Sequence, residues 1–318
     1  MIPTLARPLP ALTPLPSVPS WARPRGPVTN DVEAAFIAGA ALDSLDNLVG
    51  MAPLWAGAWR HRLALTCAAT AVSTVGRTED EVALRDAWYL RPVGGDPGPA
   101  GQILGAWKRL ANRSPGIDIA TLKATVGLLG LRGGDELEPL IERVAALGRS
   151  SKPAPIAAAA MVIEVMALRP DAELLGWWLA DQVLALKLRW PLPVPLLASQ
   201  ARSAAFREQG GRSKRIRPGE KGFERGVCVA LAQAATEACR LAGEIAPRAA
   251  RLEAVQPKLR AKGAGEAIQR LLQDDAVPGT LQTAHLTRWG SRRLFERLLA
   301  LDAVRELSGR AAFKLYGL

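Results

Sequence analysis

At 318 residues the chain is long enough to bury a sizeable core in one or two domains. Hydrophobic residues make up 49% and aromatics 5%; alanine and leucine are abundant and Val/Ile/Tyr runs are scarce, which favours helix over sheet. The net charge is +11 and the pI about 10.2, and no uncharged apolar run of ~18 residues occurs, which points to a polyanionic partner and argues against a helical membrane span.

Residues 1–27 hold eight prolines and no apolar stretch of the secretory kind. The expectation is a disordered or polyproline-like leader over 1–28, dispensable for folding. An N-terminal helical domain is expected over 29–150. Asn30 or Asp31 caps a helix to about Val49, and Pro53 opens the next, which carries Trp55 and Trp59 one turn apart on one face. Thr78-Glu79-Asp80-Glu81 has the form of a capping box, with Glu81 reaching back toward Thr78 to open a helix to Leu90. Residues 94–101 resemble a phosphate loop only superficially: the Gly-Lys-Ser/Thr ending is missing and two prolines remove backbone donors, so a turn is expected. Helices follow at about 100–111, 118–131 and 135–147.

Residues 148–153 have a linker's composition and lead into a middle helical region over 151–256. Helices are expected at 154–168 and 171–189, and the prolines at 191, 193 and 195 turn the chain into another helix reaching Phe206. Residues 208–222 are rich in Gly, Arg and Lys and should form a loop, with Arg212, Lys214, Arg215 and Arg217 as candidate phosphate contacts. An alanine-rich helix at 223–245 and a second at 247–255 complete the region.

The tail, 257–318, carries the most specific signal. A supporting helix is expected at 264–272 and a break at 277–279. Thr287 then caps a basic amphipathic helix in which Leu294, Phe295, Leu298, Leu299 and Leu301 form an apolar stripe. Two strand-like runs, 304–307 and 312–316, flank Ser308-Gly309, where Gly309 can supply the positive φ of a tight hairpin. Helix followed by hairpin is the layout of a winged helix-turn-helix. On that reading Arg288, Arg292, Arg293 and Arg297 face a DNA groove or phosphates, and Arg310 and Lys314 lie on the wing. Lys258, Arg260 and Lys262, just before a helix N-terminus, suit phosphate. A plain solvated helix face is the alternative.

The charge is unevenly placed. Residues 201–318 hold 22 Lys+Arg against 12 Asp+Glu, whereas 1–200 hold 19 against 18, so the polyanion partner belongs to the basic part. His61 and His285 are isolated, and Cys67, Cys228 and Cys239 are odd in number with no C-x-x-C, so no metal, cofactor or disulfide framework is expected and a reducing cytoplasm fits. Arg60, Arg62, Glu79, Asp80, Glu81, Arg85 and Asp86 bring opposite charges onto adjacent helices, where a structural ion-pair network is the default and a catalytic site the alternative.

Three blocks carry a resemblance: GRTEDEVALRDAWYLRPVGGDPGPAGQILGAWKRLA at 76–111, WLADQVLALKLRWPLPVPLLASQ at 178–200, and 255–318. They resemble a bacterial family, often plasmid-borne, catalogued as domain of unknown function 1403, which brings no activity or catalytic residues to carry over. The last forty residues are also similar to the C-terminal winged helix of Fic-type proteins. The Fic motif itself is missing, since His61 is followed by Arg62 and His285 by Leu286, so adenylyl transfer is not implied.

The expected protein is therefore mainly α, with multi-helix N-terminal and middle regions and a C-terminal winged helix with a short β-hairpin. The leading function is a non-enzymatic, cytoplasmic, regulatory or replicon-related protein that associates with double-stranded DNA. One alternative is a helical module whose winged helix binds protein or a second copy of the chain. The other is an enzyme built around Arg60, Glu81, Arg85 and Asp86.

Overall fold

Alanines spaced along one face set how the helices pack. In α1 (Asp31–Gly50) Ala34, Ala38, Ala41 and Leu45 are buried, and α1 lies along the longest helix, α9 (Phe223–Val255), which buries Ala230, Ala234, Ala238 and Ala242. Spacings of three and four residues keep such side chains on one stripe, and their small size lets two backbones approach closely. The computed structural model describes residues 14–92, 94–133, 135–208, 214–259 and 261–318. Among them the fold is mainly helical, with eleven α-helices and a small three-stranded antiparallel sheet near the C-terminus.

Around the α1–α9 pair, α2 (Ala56–Thr74) packs against α4 (Gly98–Asn112), and α3 (Glu81–Tyr89) against both. α5 (Ile119–Leu128) follows α4. α6 (Pro139–Arg149), α7 (Ala154–Leu168) and α8 (Glu173–Leu188) pack on one another, so buried side chains continue across the linker-like 148–153. Tryptophans brace the interior by packing and by their indole donors. Trp59 Nε1 donates to Ala238 O at 2.9 Å, Trp178 Nε1 to Ala106 O at 2.9 Å, and Trp190 Nε1 to Asp46 at 2.7 Å.

Several local readings are altered by tertiary context. Asn30 and Asp118 cap α1 and α5 through their side chains. At α3 the cap is Asp80, which accepts from Ala83 N at 2.8 Å; Glu81 is the first helical residue and instead accepts from Thr66 Oγ1 at 2.7 Å, so the Thr78–Glu81 box does not form. The expected helix up to Phe206 is replaced by two short 3-10 turns, Leu197–Gln200 and Ala204–Phe206. There the buried Asp181 carboxylate takes the Leu196 and Leu197 N–H groups, and Ser199 and Ser203 bond to local backbone. Conversely α9 runs unbroken through Pro247. The ring withholds one N–H, but Ala242, Ile245, Ala246, Ala249 and Leu252 are buried on both sides of it and hold the helix in place.

Of the proline-rich leader, residues 1–13 lie outside the described residues. The remainder does not stand apart from the fold. Val18 is 1% exposed, Ala22 is buried, and the Arg23 guanidinium folds back on Val18 O at 2.7 Å. Prolines prevent a long helix here, but they do not prevent two apolar side chains from docking on the core.

The tail contains α10 (Ala264–Gln273), β1 (Val277–Pro278), α11 (Arg288–Ala300), β2 (Arg305–Glu306) and β3 (Leu315–Gly317), with strand order β1-β3-β2. Val277 faces Tyr316, and Arg305 faces Gly317. The strands are shorter than the sequence implies. The connection is not a tight turn at Ser308-Gly309: Gly309 does take φ +59°, but the chain also bends at Phe313, φ +54°, before β3 begins.

Asp181 gives the fold a pH signature. Burial raises its carboxyl from 3.8 to about 7, against the pull of the two N–H donors. A folded value above the unfolded one means that its stabilising effect is complete below about pH 4 and is lost as pH rises through 7. Asp181→Asn should flatten the loss of stability between pH 5 and 8 in urea titrations. Deleting residues 1–28 should lower the thermal midpoint by more than about 5 °C, because Val18 and Ala22 leave the core.

Candidate nucleic-acid interface and the charge cluster behind it

Thr287 caps α11, its Oγ1 accepting from Gly290 N at 3.2 Å. One face of the helix buries Ser291, Leu294, Phe295 and Leu298, and the Phe295 ring stacks on Tyr316 of β3 with centroids 4.7 Å apart. Leu299 and Leu301, expected on the apolar stripe, are exposed. The opposite face presents Arg288, Arg292, Arg293 and Arg297 to solvent. Among the described residues none of these four has an ion pair or a side-chain hydrogen bond. Trp289, 72% exposed, sits between them, with the Arg292 guanidinium 5.7 Å from its ring centroid.

The second basic segment lies beside this helix. Lys258, Leu259 and Ala261 line one side of a groove of about 520 Å3, and Gly290, Arg293, Leu294 and Arg297 line the other. Lys262 is exposed, and Arg260 lies outside the described residues. The structure thus joins two basic elements about thirty residues apart in sequence into a single surface.

The hairpin residues behave differently. Arg310 pairs with the Asp86 carboxylate of α3, and Lys314 Nζ lies 2.9 Å from Glu306 Oε2. Their charges are already compensated, so they serve to hold the 308–314 connection. In the middle region Lys214 pairs with Glu220 and Arg215 with Glu173, while Arg212 lies outside the described residues.

Behind the sheet lies a buried charge cluster. α10 ends against α2, where Gly57 allows the contact: a Cβ there would lie 2.7 Å from Gln273 Cα. This close approach delivers Asp274 and Asp275 to cations from three helices. Arg62 of α2 and Arg85 of α3 each hold one Asp275 oxygen through Nε, the latter at 2.6 Å. His61 Nδ1 lies 2.6 Å and Lys108 Nζ 2.5 Å from Asp274 Oδ1, and Lys108 also donates to Tyr89 Oη at 2.7 Å. Burial would raise both carboxyls. For Asp274 the hydrogen bond from His61 and the Lys108 charge prevail, for Asp275 the charges of Arg62 and Arg85, and both are held below the ordinary 3.8.

The arrangement differs from the expected cluster. Arg62 and Arg85 do converge, but on a carboxylate 213 and 190 residues away. Glu79 pairs with Arg77, Asp80 is a helix cap, and Arg60 donates to Ala111 O. His61, isolated in sequence, has a carboxylate partner in space.

A family model described as "Protein of unknown function (DUF1403)" matches residues 9–318. The chain belongs to this family. No curated protein matches it. The DUF1403 assignment supplies no reaction, so the chemistry of its surfaces rests on the residues themselves. Trp289 and the Asp274–Asp275 pair are the residues that sequence patterning did not single out. Trp289 could have been noticed as an aromatic on the polar side of the helical stripe. The aspartates carry no local signal.

Removing one member of a buried charge pair leaves the other unpaired. Asp275→Asn should therefore cost about 3–5 kcal/mol in chemical denaturation, and replacing Arg62, Arg85 and Asp275 together by apolar residues should cost less. Since both aspartates have folded values below 3.8, their contribution is complete above about pH 4 and fades as the pH falls further. Asp274→Asn should shift the acid unfolding midpoint upward.

Proposed function

We propose that this DUF1403 protein binds double-stranded DNA through the exposed face of α11 and the groove beside it, as a non-enzymatic regulatory or replicon-related protein of the cytoplasm. One observation carries the reading. Neighbouring basic side chains Arg251, Arg310 and Lys314 each have a carboxylate partner, whereas Arg288, Arg292, Arg293 and Arg297 share one exposed face with none. Glu296, exposed among them, offsets only part of their charge, so the stripe still repels itself, and a phosphate backbone relieves that repulsion while releasing counterions.

The strand order β1-β3-β2, with α11 entering between β1 and β2, supports reading the tail as a winged helix. It departs from that layout over 280–287, where turns and a Thr283–Leu286 bridge stand in place of a further helix. On this reading Arg288 and Arg292, in the first turns of α11, meet base edges. Arg293, Arg297, Lys258 and Lys262 meet phosphates.

A second reading follows from Trp289. An exposed tryptophan among arginines is also the composition of a protein-interface hot spot, so the same face can receive a protein partner or a second copy of the chain.

Duplex binding measured against salt separates these readings. Arg292→Ala should cost about 1–3 kcal/mol on a selected site and relax its specificity. Arg293→Ala and Arg297→Ala should weaken all sequences alike and each reduce the salt slope by about one. Arg310→Ala, whose charge is held by Asp86, should change the slope far less. Absence of duplex binding at ~50 mM salt, where phosphate contacts are strongest, would give first place to the protein partner.

A further inference from the structure

Four guanidinium groups converge where the sheet meets α2, α3 and α9. Arg251 pairs with Asp302, which fixes residues 302–305 along the C-terminal half of α9. Arg248, one turn before Arg251, lies near enough to Arg305 of β2 for the two charges to act on each other. Arg305 is in register with Gly317, the residue that lets Arg62 approach: a Cβ on Gly317 would lie 2.5 Å from Asp275 O and 3.3 Å from Arg62 Nη2. Arg85 reaches the same point through Asp275.

The negative charge gathered here does not match. Asp275 is occupied by the Nε groups of Arg62 and Arg85. Arg62 is only 5% exposed, yet among the described residues its Nη1 has no acceptor, and neither do the buried Nε atoms of Arg248 and Arg305. Burial, and then the charges of Arg62 and Arg248, hold Arg305 below its ordinary basicity. Buried guanidinium donors without acceptors are rare in folded proteins, because each forfeits its hydration with nothing in return.

We propose that this cluster is a binding site for a phosphate-type oxyanion, walled by Arg62, Arg85, Arg248 and Arg305. A tetrahedral oxyanion offers several acceptors to planar guanidinium forks, and its charge adds to that of Asp275 to offset part of the excess of cations. Arg305 is the movable wall. It is half-buried and among the described residues its side chain makes no hydrogen bond, so its rotation would admit the anion to Arg62 Nη1. Once bound, the anion ties β2 to α2 and α9 and so steadies the sheet on which Phe295 of α11 stacks. The site stands independently of the DNA reading.

Thermal unfolding of the full chain tests it, comparing inorganic phosphate with sodium chloride at equal ionic strength. About 20 mM phosphate should raise the midpoint by on the order of 3–5 °C, the effect expected of a ligand at about a hundred times its Kd. Arg248→Gln and Arg305→Gln, both nearer the surface than Arg62, should keep the wild-type circular dichroism spectrum and lose the shift. The triple variant Arg292→Ala/Arg293→Ala/Arg297→Ala should retain it, so a protein that fails to bind DNA can still pass. A shift produced by a short duplex but not by free phosphate, and abolished by Arg305→Gln, would identify the oxyanion as backbone phosphate. No shift beyond that of chloride with either free phosphate or the duplex, or an equal shift in the Arg248 and Arg305 variants, would overturn the proposal.

Discussion

Asp275 receives Arg62 from α2 and Arg85 from α3, while the adjacent Asp274 receives His61 and Lys108. A two-residue step at the end of α10 thus gathers three N-terminal helices and sets where β1 begins. The position of β1 in turn places β3 and β2, and through the Phe295–Tyr316 stack it orients α11. Ion pairs this deeply buried return little net stability against their desolvation, but an unpaired member would be costly, so they act as a register that only one docking satisfies.

That register decides which basic residues are free. Asp86, Glu306 and Asp302 neutralise the cations on the edges of the tail, and the exposed face of α11 is left with four arginines, a tryptophan and a single acid, Glu296. The α10–α11 unit is therefore tied to the helical body by these pairs while presenting one basic surface outward. The cations turned inward, Arg62, Arg248 and Arg305, sit on the reverse side of the same sheet. An anion bound there would act on the outward face through the strands.

Wherever a signal was local, the sequence carried it well. Asn30, Asp118 and Thr287 cap helices because a short polar side chain beside an apolar stripe has few better uses. The signal failed where a distant group competed. Glu81 left its capping box for Thr66, the segment before Phe206 lost its helix to the Asp181 carboxylate, and α9 kept its course through Pro247 because buried alanines on both sides held it.

The sequence by itself determined the mainly helical class, the basic character of the tail and, apart from Leu299 and Leu301, the faces of α11, because these depend on composition and on a period of 3.6 residues. Only the tertiary structure decided which charges are spent and which remain. Arg310 looked free and is paired, His61 looked isolated and is not, and Lys258 joined Arg293 across one groove. Coulomb interactions act over a few ångströms of space regardless of separation along the chain, so pairings between residues 61 and 274, or 86 and 310, leave no pattern in the sequence until the helices have docked.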